Sequence, residues 1–293
     1  MKQKTTKYRH SLKIGLVGAG AVGVPLALLL RHKGFNIHAV VSRTSRAAAA
    51  LAAKVQCAAA GSDFTLLTDC HLIFITVPDS QISAVAAKLQ KVHFQNRKVI
   101  VIHTSGTHTS LSLAKLKESD STRVYMASMH PMQTFPRKMN WTKNTLENHF
   151  ENIYFGIEGD SAAYPVMTEI ILTLGGRCLK ITAAQKTLYH MGGVFCSNFL
   201  IVLLYISEKI YAKMGLKKNE PIDVLLPIII QTLNNAKVKG VAASLTGPAE
   251  RNDVRVIENH LRTLKKFYPK YAKAYRELTG ICYEIVRANK RPR

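Results

Sequence analysis

Along the first part of the chain, short apolar runs alternate with stretches in which apolar residues recur every three or four positions. The short runs, bounded by glycine, proline and small polar residues, predict buried strands. The recurring pattern predicts amphipathic helices. Strands are expected over 14–17, 35–41, 72–77, 98–102, 124–129, 154–157 and 177–180, with a weaker one at 55–58. Helices are expected over 22–31, 47–54, 81–91 and around 165–174. After Ile181 the strand pattern stops. Thr182 is placed to cap a long helix that reaches about Met214. Further helices are expected over 225–236, then after Thr246-Gly247-Pro248 with Val254, Ile257, Leu261 and Leu264 on one face, and over 271–288. The alternation specifies an α/β fold: a mostly parallel, doubly wound sheet over 10–182, followed by an all-helical domain over 183–293. The apolar run 191–206 is short for a membrane span, so it is expected as a buried helix of the second domain.

The first strand runs into Gly18-Ala19-Gly20-Ala21-Val22-Gly23, which has the G-x-G-x-x-G spacing of a dinucleotide site. Gly18 permits the tight turn. Gly20 has no side chain to keep a pyrophosphate from the backbone. Gly23 lets the helix pack closely on its strand. Ala21 and Val22 lie where the free N–H groups and positive end of the helix meet the phosphates. The same glycines, with Gly15 and Pro25, explain the apolar run to Leu30 better than a secretory leader does.

An NAD site usually ends its second strand with Asp or Glu, to hold the ribose hydroxyls. This chain has Ser42-Arg43-Thr44-Ser45-Arg46 there and no carboxylate. Guanidinium forks and hydroxyls suit a phosphate dianion. Cations at the start of the next helix are unfavourable without an anion beside them. Ser42, Arg43, Thr44 and Arg46 therefore point to NADP as the cofactor. Ligands of such sheets bind beyond the carboxyl ends of the strands. Val77-Pro78-Asp79, His103-Thr104-Ser105-Gly106 and His130-Pro131-Met132 all fall there.

The 293 residues, 47% of them hydrophobic, can build two modest domains. The formal net charge of +23 raises nucleic acid as a partner. The charge is dispersed, with local excess only at Lys2, Lys4, Lys7 and Arg9 and at Arg287, Lys290, Arg291 and Arg293. Without zinc-finger spacing or an aromatic–basic RNA-binding signature, nucleic acid is not the expected partner. The charge reads as solvated surface that helps attract an anionic cofactor and substrate. The five cysteines, Cys57, Cys70, Cys178, Cys196 and Cys282, are scattered and odd in number. That fits reduced thiols and a cytoplasmic location. The eleven histidines show no H-E-x-x-H spacing, so no metal is expected.

On the long helix, Lys186 and His190 are four residues apart and Asn198 follows two turns later. An amine, an imidazole and an amide on one face can position a carbonyl or imine and exchange a proton with it while a nicotinamide supplies hydride. Gly192-Gly193 would allow something to approach that face. Thr246-Gly247-Pro248 before a helix suggests an anion site at the helix N-terminus, and Arg251 a clamp for a substrate carboxylate. The apolar content of 195–210 and 225–230 exceeds what a small helical layer buries, which predicts a homodimer through the helical domain.

Five segments together resemble one family, Rossmann-like proteins with domain of unknown function 2520. They are Val77-Pro78-Asp79, His103-Thr104-Ser105-Gly106, His130-Pro131-Met132-Gln133-Thr134-Phe135, Lys186 through Tyr189-His190 to Ser197-Asn198, and Leu245-Thr246-Gly247-Pro248 with Arg251 and Asp253. The order of domains looks like the wider superfamily of pyrroline-carboxylate reductase, 6-phosphogluconate dehydrogenase and prephenate dehydrogenase. The resemblance implies a helical domain of the 6-phosphogluconate-dehydrogenase type and an NADP-linked oxidoreductase acting on a small anionic carbonyl or imine in the interdomain cleft. By analogy, binding and protonating the substrate falls to Lys186 and His190, although the sugar-acid dehydrogenases have Asn where this chain has His190. Asn198 joins them on the helix face. His130 lies in a segment similar to a substrate-side segment of prephenate dehydrogenase. Ser105, Thr246, Gly247 and Arg251 are the candidate substrate contacts, and Val77, Pro78, Asp79 and His103 the further cofactor contacts. The alternative is an NADP(H)-binding sensor or interaction module that does not turn over.

Overall fold

The computed structural model describes Tyr8, residues 11–118 and residues 123–290. The tail residues Lys2, Lys4, Lys7, Arg9, Arg291 and Arg293 lie outside the described residues. In chain order the first part of the molecule runs β1 (Lys13–Val17), α1 (Gly23–His32), β2 (Asn36–Val41), α2 (Ser45–Val55), β3 (Ala59–Gly61), β4 (Leu72–Ile75), α3 (Ile82–Leu89), β5 (Lys98–His103), β6 (Arg123–Pro131), α4 (Lys143–Phe150), β7 (Tyr154–Gly159), α5 (Tyr164–Thr173) and β8 (Arg177–Lys180). The strands form one sheet in the order β3-β2-β1-β4-β5-β6-β7-β8. Strand order reverses at β1, whose neighbours are β2 and β4. A reversal of this kind opens a crevice at the carboxyl ends.

Two cores explain the layering. Leu26, Leu29 and Leu30 of α1, Leu51 of α2, Phe150 of α4 and Ile170 of α5 share one with Ile14 and Leu16 of β1. Val85 and Leu89 of α3 share the other with Val17 and with Ile73 and Ile75 of β4. Central strands buried on both faces read as the continuous apolar runs seen in the sequence.

The one reversal in the sheet was not anticipated. β7 runs antiparallel to β6, while β7 and β8 are parallel. Its register sets Ser128 opposite Glu158 and His130 opposite Gly156. Because strand side chains alternate, all four positions share one face. Three boundaries also move. The strand expected at 55–58 lies at Ala59–Gly61, because the alanine-rich helix continues through Val55 to a left-handed Gln56. β6 extends to Pro131, so His130 lies in a strand rather than after one. α4 arises in a stretch read as a connection; its mainly polar sequence hid it, and a Thr142–Thr145 capping box starts it.

The chain divides into two compact units, Met1–Ser197 and Asn198–Arg293. The division falls inside α6 (Lys186–Ala212), not at the end of the sheet. Thr182 caps not α6 itself but the short turn Ala183–Gln185 that leads into it. The second unit continues with α7 (Glu220–Lys239), α8 (Val254–Phe267) and α9 (Pro269–Lys290). The Tyr268 hydroxyl donates to the Lys209 carbonyl at 2.7 Å, and His260 pairs with the Tyr275 hydroxyl at 2.8 Å.

Two expectations for the helices are overturned. The run 191–206 is not buried: Ile201 is 63% exposed, and neighbouring apolar residues on α6 are similarly open. Ala183–Ala212 is long and apolar enough to cross a membrane, with an 18-residue stretch of mean hydropathy 1.6. Lys186, at its start, is nevertheless enclosed by the sheet unit. The helix after Thr246-Gly247-Pro248 begins only at Val254. Its N-terminus is taken by the Asp253 carboxylate, which accepts from the Val256 N–H at 3.3 Å. The expected anion site at Thr246-Gly247 is therefore not at a helix start.

Candidate active site

The glycine turn joins β1 to α1. Gly18 has φ +111°, a conformation that side chains resist, and the Thr76 backbone lies against it. Thr76, just beyond β4, ties the turn down: its hydroxyl donates to the Gly18 carbonyl at 2.8 Å. A Cβ on Gly23 would strike that same carbonyl and the Thr76 hydroxyl, whereas one on Gly20 would meet only the Thr76 carbonyl, at 3.8 Å. Gly18 and Gly23 are thus required by internal packing, while Gly20 leaves its side of the turn open. That is the arrangement a pyrophosphate needs. At the end of β2, the Ser42 N–H donates to the Gly61 carbonyl and Thr44 caps α2. Arg43 and Arg46 are exposed, with no carboxylate partner among the described residues.

A polar cluster occupies the same edge of the sheet, at the ends of β5 and β6. Lys186 is 0% exposed. Its ammonium donates to the Ser128 hydroxyl and lies 3.9 Å from the Glu158 carboxylate. Glu158 is also buried and accepts from the Ser110 N–H at 2.6 Å and the Ser110 hydroxyl at 2.9 Å. Burial lowers the Lys186 pKa to about 8, against the opposing pull of Glu158 and Asp79. Asp79, in the Val77-Pro78-Asp79 segment beyond β4, therefore acts on this cluster.

His103 is fully buried and both of its ring nitrogens are engaged. Nδ1 accepts from the Ser105 N–H at 3.2 Å, which leaves Nε2–H to donate to the Thr109 carbonyl at 3.0 Å. The ring is held inside the protein, not presented to a cofactor as the sequence suggested. Ser105 is likewise turned inward: its hydroxyl accepts from the Thr107 and His108 N–H groups at 3.1 and 3.0 Å. Burial first, then repulsion by Lys186, lowers the His103 pKa to about 4.

His130 and His190 pack against Gly106 beside this cluster. The two imidazoles meet edge to face at 5.9 Å between centroids. A Cβ on Gly106 would collide with His190 and lie 2.9 Å from His130 Nε2. His130 Nδ1 is 3.1 Å from the Tyr189 hydroxyl. That hydroxyl also accepts from the Gly156 N–H and reaches the His130 carbonyl, each at 3.1 Å. Burial first, then the charges of Lys186 and His190, lowers the His130 pKa to about 3, so the ring is neutral at neutral pH. His190 is half-buried, with Nδ1 3.4 Å from the Thr107 hydroxyl.

Lys186 and His190 are thus brought to one place, but in different states, one enclosed and one accessible. Asn198 lies on the same helix but belongs to the second unit, as do Thr246, Gly247 and Arg251, which fall between α7 and α8. The approach expected at Gly193 is made by the Met132 thioether. Sequence reasoning missed Ser128, Glu158, Ser110 and the hydroxyl of Tyr189. Only the antiparallel register of β7 joins them, and no local pattern announces it. Among the described residues, no group of three or more His, Cys, Asp or Glu side chains could hold a metal.

Comparison with known proteins supplies the wider setting. Residues 2–131 match the family model of a Rossmann-like domain, and residues 153–281 that of domain of unknown function 2520. No curated protein matches the chain. A proposed NADP oxidoreductase from Bacteroides fragilis is 27% identical, with a TM-score of 0.73, covering 93% of this chain and 98% of its own. A protein from Thermotoga maritima is 28% identical, also with a TM-score of 0.73, covering 95% of this chain and 100% of its own. A pyrroline-5-carboxylate reductase from Coxiella burnetii shares the fold at 14% identity and a TM-score of 0.58, covering 94% of this chain and 98% of its own.

Proposed function

We propose that this Rossmann-like, DUF2520-bearing chain is an NADP-dependent oxidoreductase that interconverts a small anionic carbonyl or imine compound with its reduced form. The observation that carries the reading is the shared edge of the sheet. The Gly18–Gly23 turn, open on the Gly20 side, and the His130–His190 pair packed on Gly106 both lie at strand carboxyl ends, and Asp79 influences Lys186. The likeness to the Bacteroides fragilis protein supports the same class of activity. The reductase from Coxiella burnetii shares the fold, and the substrate in its name contains a cyclic imine.

When bound, the nicotinamide supplies or accepts the hydride. Ser42, Arg43, Thr44 and Arg46 take the 2′-phosphate, and Val77, Pro78 and Asp79 border the cofactor. His130 and His190 bind the carbonyl or imine and move its proton. Lys186 works from behind them: its charge adds to burial in keeping His130 neutral, and its bond to Ser128 fixes the first turn of α6. Arg251 is the proposed clamp for a carboxylate, and Asn198 the polar group farther along α6. A second copy of the chain covers the apolar faces of α6 and α7, on which Leu188, Ile201, Ile228 and Leu233 are more than half exposed.

Calorimetry with NADPH and NADH, followed by a screen of small 2-oxo acids and cyclic imines by NADPH absorbance, tests the reading. Arg43→Ala with Arg46→Ala should weaken NADPH about tenfold or more and leave NADH unchanged. Equal wild-type affinity for the two dinucleotides would overturn the choice of NADP. Tight NADPH binding with no turnover across the screen would favour a sensor.

A further inference from the structure

The segment between β6 and α4 has so far been given no role, yet it is held in place. The rings of Phe135 and Trp141 both meet His149 edge-on, at 5.0 and 4.9 Å between centroids. Phe135 also packs on Phe150 of α4. α4 is tied to the end of α1 by the Lys33–Glu147 ion pair at 2.7 Å. Residues 136–140, between the two anchored aromatics, form an exposed arch.

A groove of about 550 Å³ lies between this arch and the outer face of α1. Ala21, Val24 and Leu28 form one wall, and the arch through Trp141 another. Lys54, Arg137 and Lys138 line it, with no carboxylate among the lining residues. Ala21 belongs to the glycine turn itself. That turn offers a phosphate N–H dipoles but no full positive charge, since residues 14–30 contain no Lys or Arg. A pyrophosphate is a dianion, and a groove of one sign running from the turn concentrates such a ligand.

We propose that the arch is part of the dinucleotide site, with Arg137 and Lys138 supplying the counter-charge to the pyrophosphate held at the Gly18–Gly23 turn. This rests on the dinucleotide reading above but not on the choice of NADP over NAD, because the pyrophosphate is common to both. Arg137 and Lys138 thus govern affinity for the dinucleotide as a class, and Arg43 and Arg46 govern selection within it.

Trp141 is the only tryptophan in the chain and lines the groove, so its fluorescence reports on a ligand there. Wild type, Arg137→Ala/Lys138→Ala and the conservative Arg137→Lys/Lys138→Arg variant are titrated with NADPH and NADH, with inorganic pyrophosphate as competitor. NADPH and NADH should both quench Trp141. The alanine pair should weaken both by the same factor, about tenfold or more, and the conservative pair should restore most of the loss. Pyrophosphate should compete in the wild type and far less in the alanine pair. If the alanine pair binds both dinucleotides as wild type does, or loses NADPH alone, the proposal is overturned while the oxidoreductase reading stands. If wild type binds neither dinucleotide, both fall together.

Discussion

The sheet unit and the helices α6 and α7 solve opposite problems. In the sheet unit, charge and hydroxyls are enclosed and satisfied: Lys186, Glu158, Ser128, Ser110 and His103 are all buried and bonded to one another or to the backbone. On α6 and α7 the apolar side chains stand in the open, with Leu188, Ile201, Ile228 and Leu233 more than half exposed. Burying charge is costly unless every group finds a partner, and exposing large apolar faces is costly unless something covers them. The first cost is met inside the chain by a strand register. The second is met by nothing among the described residues, which is why a second copy is proposed for it.

Removing the partner of the buried lysine should give the largest effect. Glu158→Gln leaves the Lys186 ammonium with Ser128 alone. Breaking a buried pair from one side costs about 3–5 kcal/mol, readable by urea denaturation. A loss below about 1 kcal/mol would mean that Glu158 does not compensate Lys186. The pH dependence sharpens the point. Lys186 titrates at about 8 when folded, against about 10.4 in the unfolded chain. Between those values the unfolded chain holds the extra proton, so stability rises with pH across that window. Lys186→Met should abolish the rise. On the acid side, His103 and His130, near 4 and 3 when folded, lose protons that the unfolded chain keeps below about 6.5. Stability should therefore fall as pH drops from about 6.5, by up to about 1.4 kcal/mol per pH unit for each histidine.

The other side of the comparison breaks at the exposed face. Light scattering should show a dimer at micromolar concentration. Ile201→Asp with Ile228→Asp should weaken it by at least about thirtyfold, the size of a typical interface hot spot. NADPH affinity should hardly change, because the glycine turn is built entirely within the sheet unit. A wild-type monomer would leave the apolar face without the partner proposed for it.

The two regions also differ in how far the sequence reveals them. The glycine turn was legible because its chemistry is local: spacing, a preceding apolar strand and a following helix lie within residues 14–31. Lys186 and His190 were legible as neighbours, since helix periodicity places them one turn apart. That Lys186 would be enclosed was not legible. Its partners Ser128 and Glu158 lie 58 and 28 positions away, and only the antiparallel return of β7 sets those two opposite each other. Periodicity likewise marked 191–206 as an apolar helix but could not say whether the chain itself would cover it. His103 misled because a histidine at a strand end looks available, until its loop folds back and takes both nitrogens.

The smallest predicted effect lies at the rim of the buried cluster. The Tyr189 hydroxyl accepts from the Gly156 N–H and has a single proton to give. Both the His130 carbonyl and His130 Nδ1 are 3.1 Å away. If the proton goes to the carbonyl, His130 must carry its own hydrogen on Nδ1, and Nε2, beside Gly106, is then a bare acceptor. Tyr189→Phe removes that control, while the Gly156 N–H keeps its partner across the ladder, the His130 carbonyl. The stability cost should be about 0.5–1.5 kcal/mol, smaller than for Glu158→Gln because no charge is orphaned. The more telling readout is the ring nitrogens of His130 in a ¹⁵N NMR spectrum. In the wild type they should show one tautomer, protonated at Nδ1, from pH 6 to 8. In the phenylalanine variant the two nitrogens should move toward each other as the tautomers mix. An unchanged nitrogen pattern would show that Tyr189 only packs against Gly156, and that other groups around His130 set its tautomer.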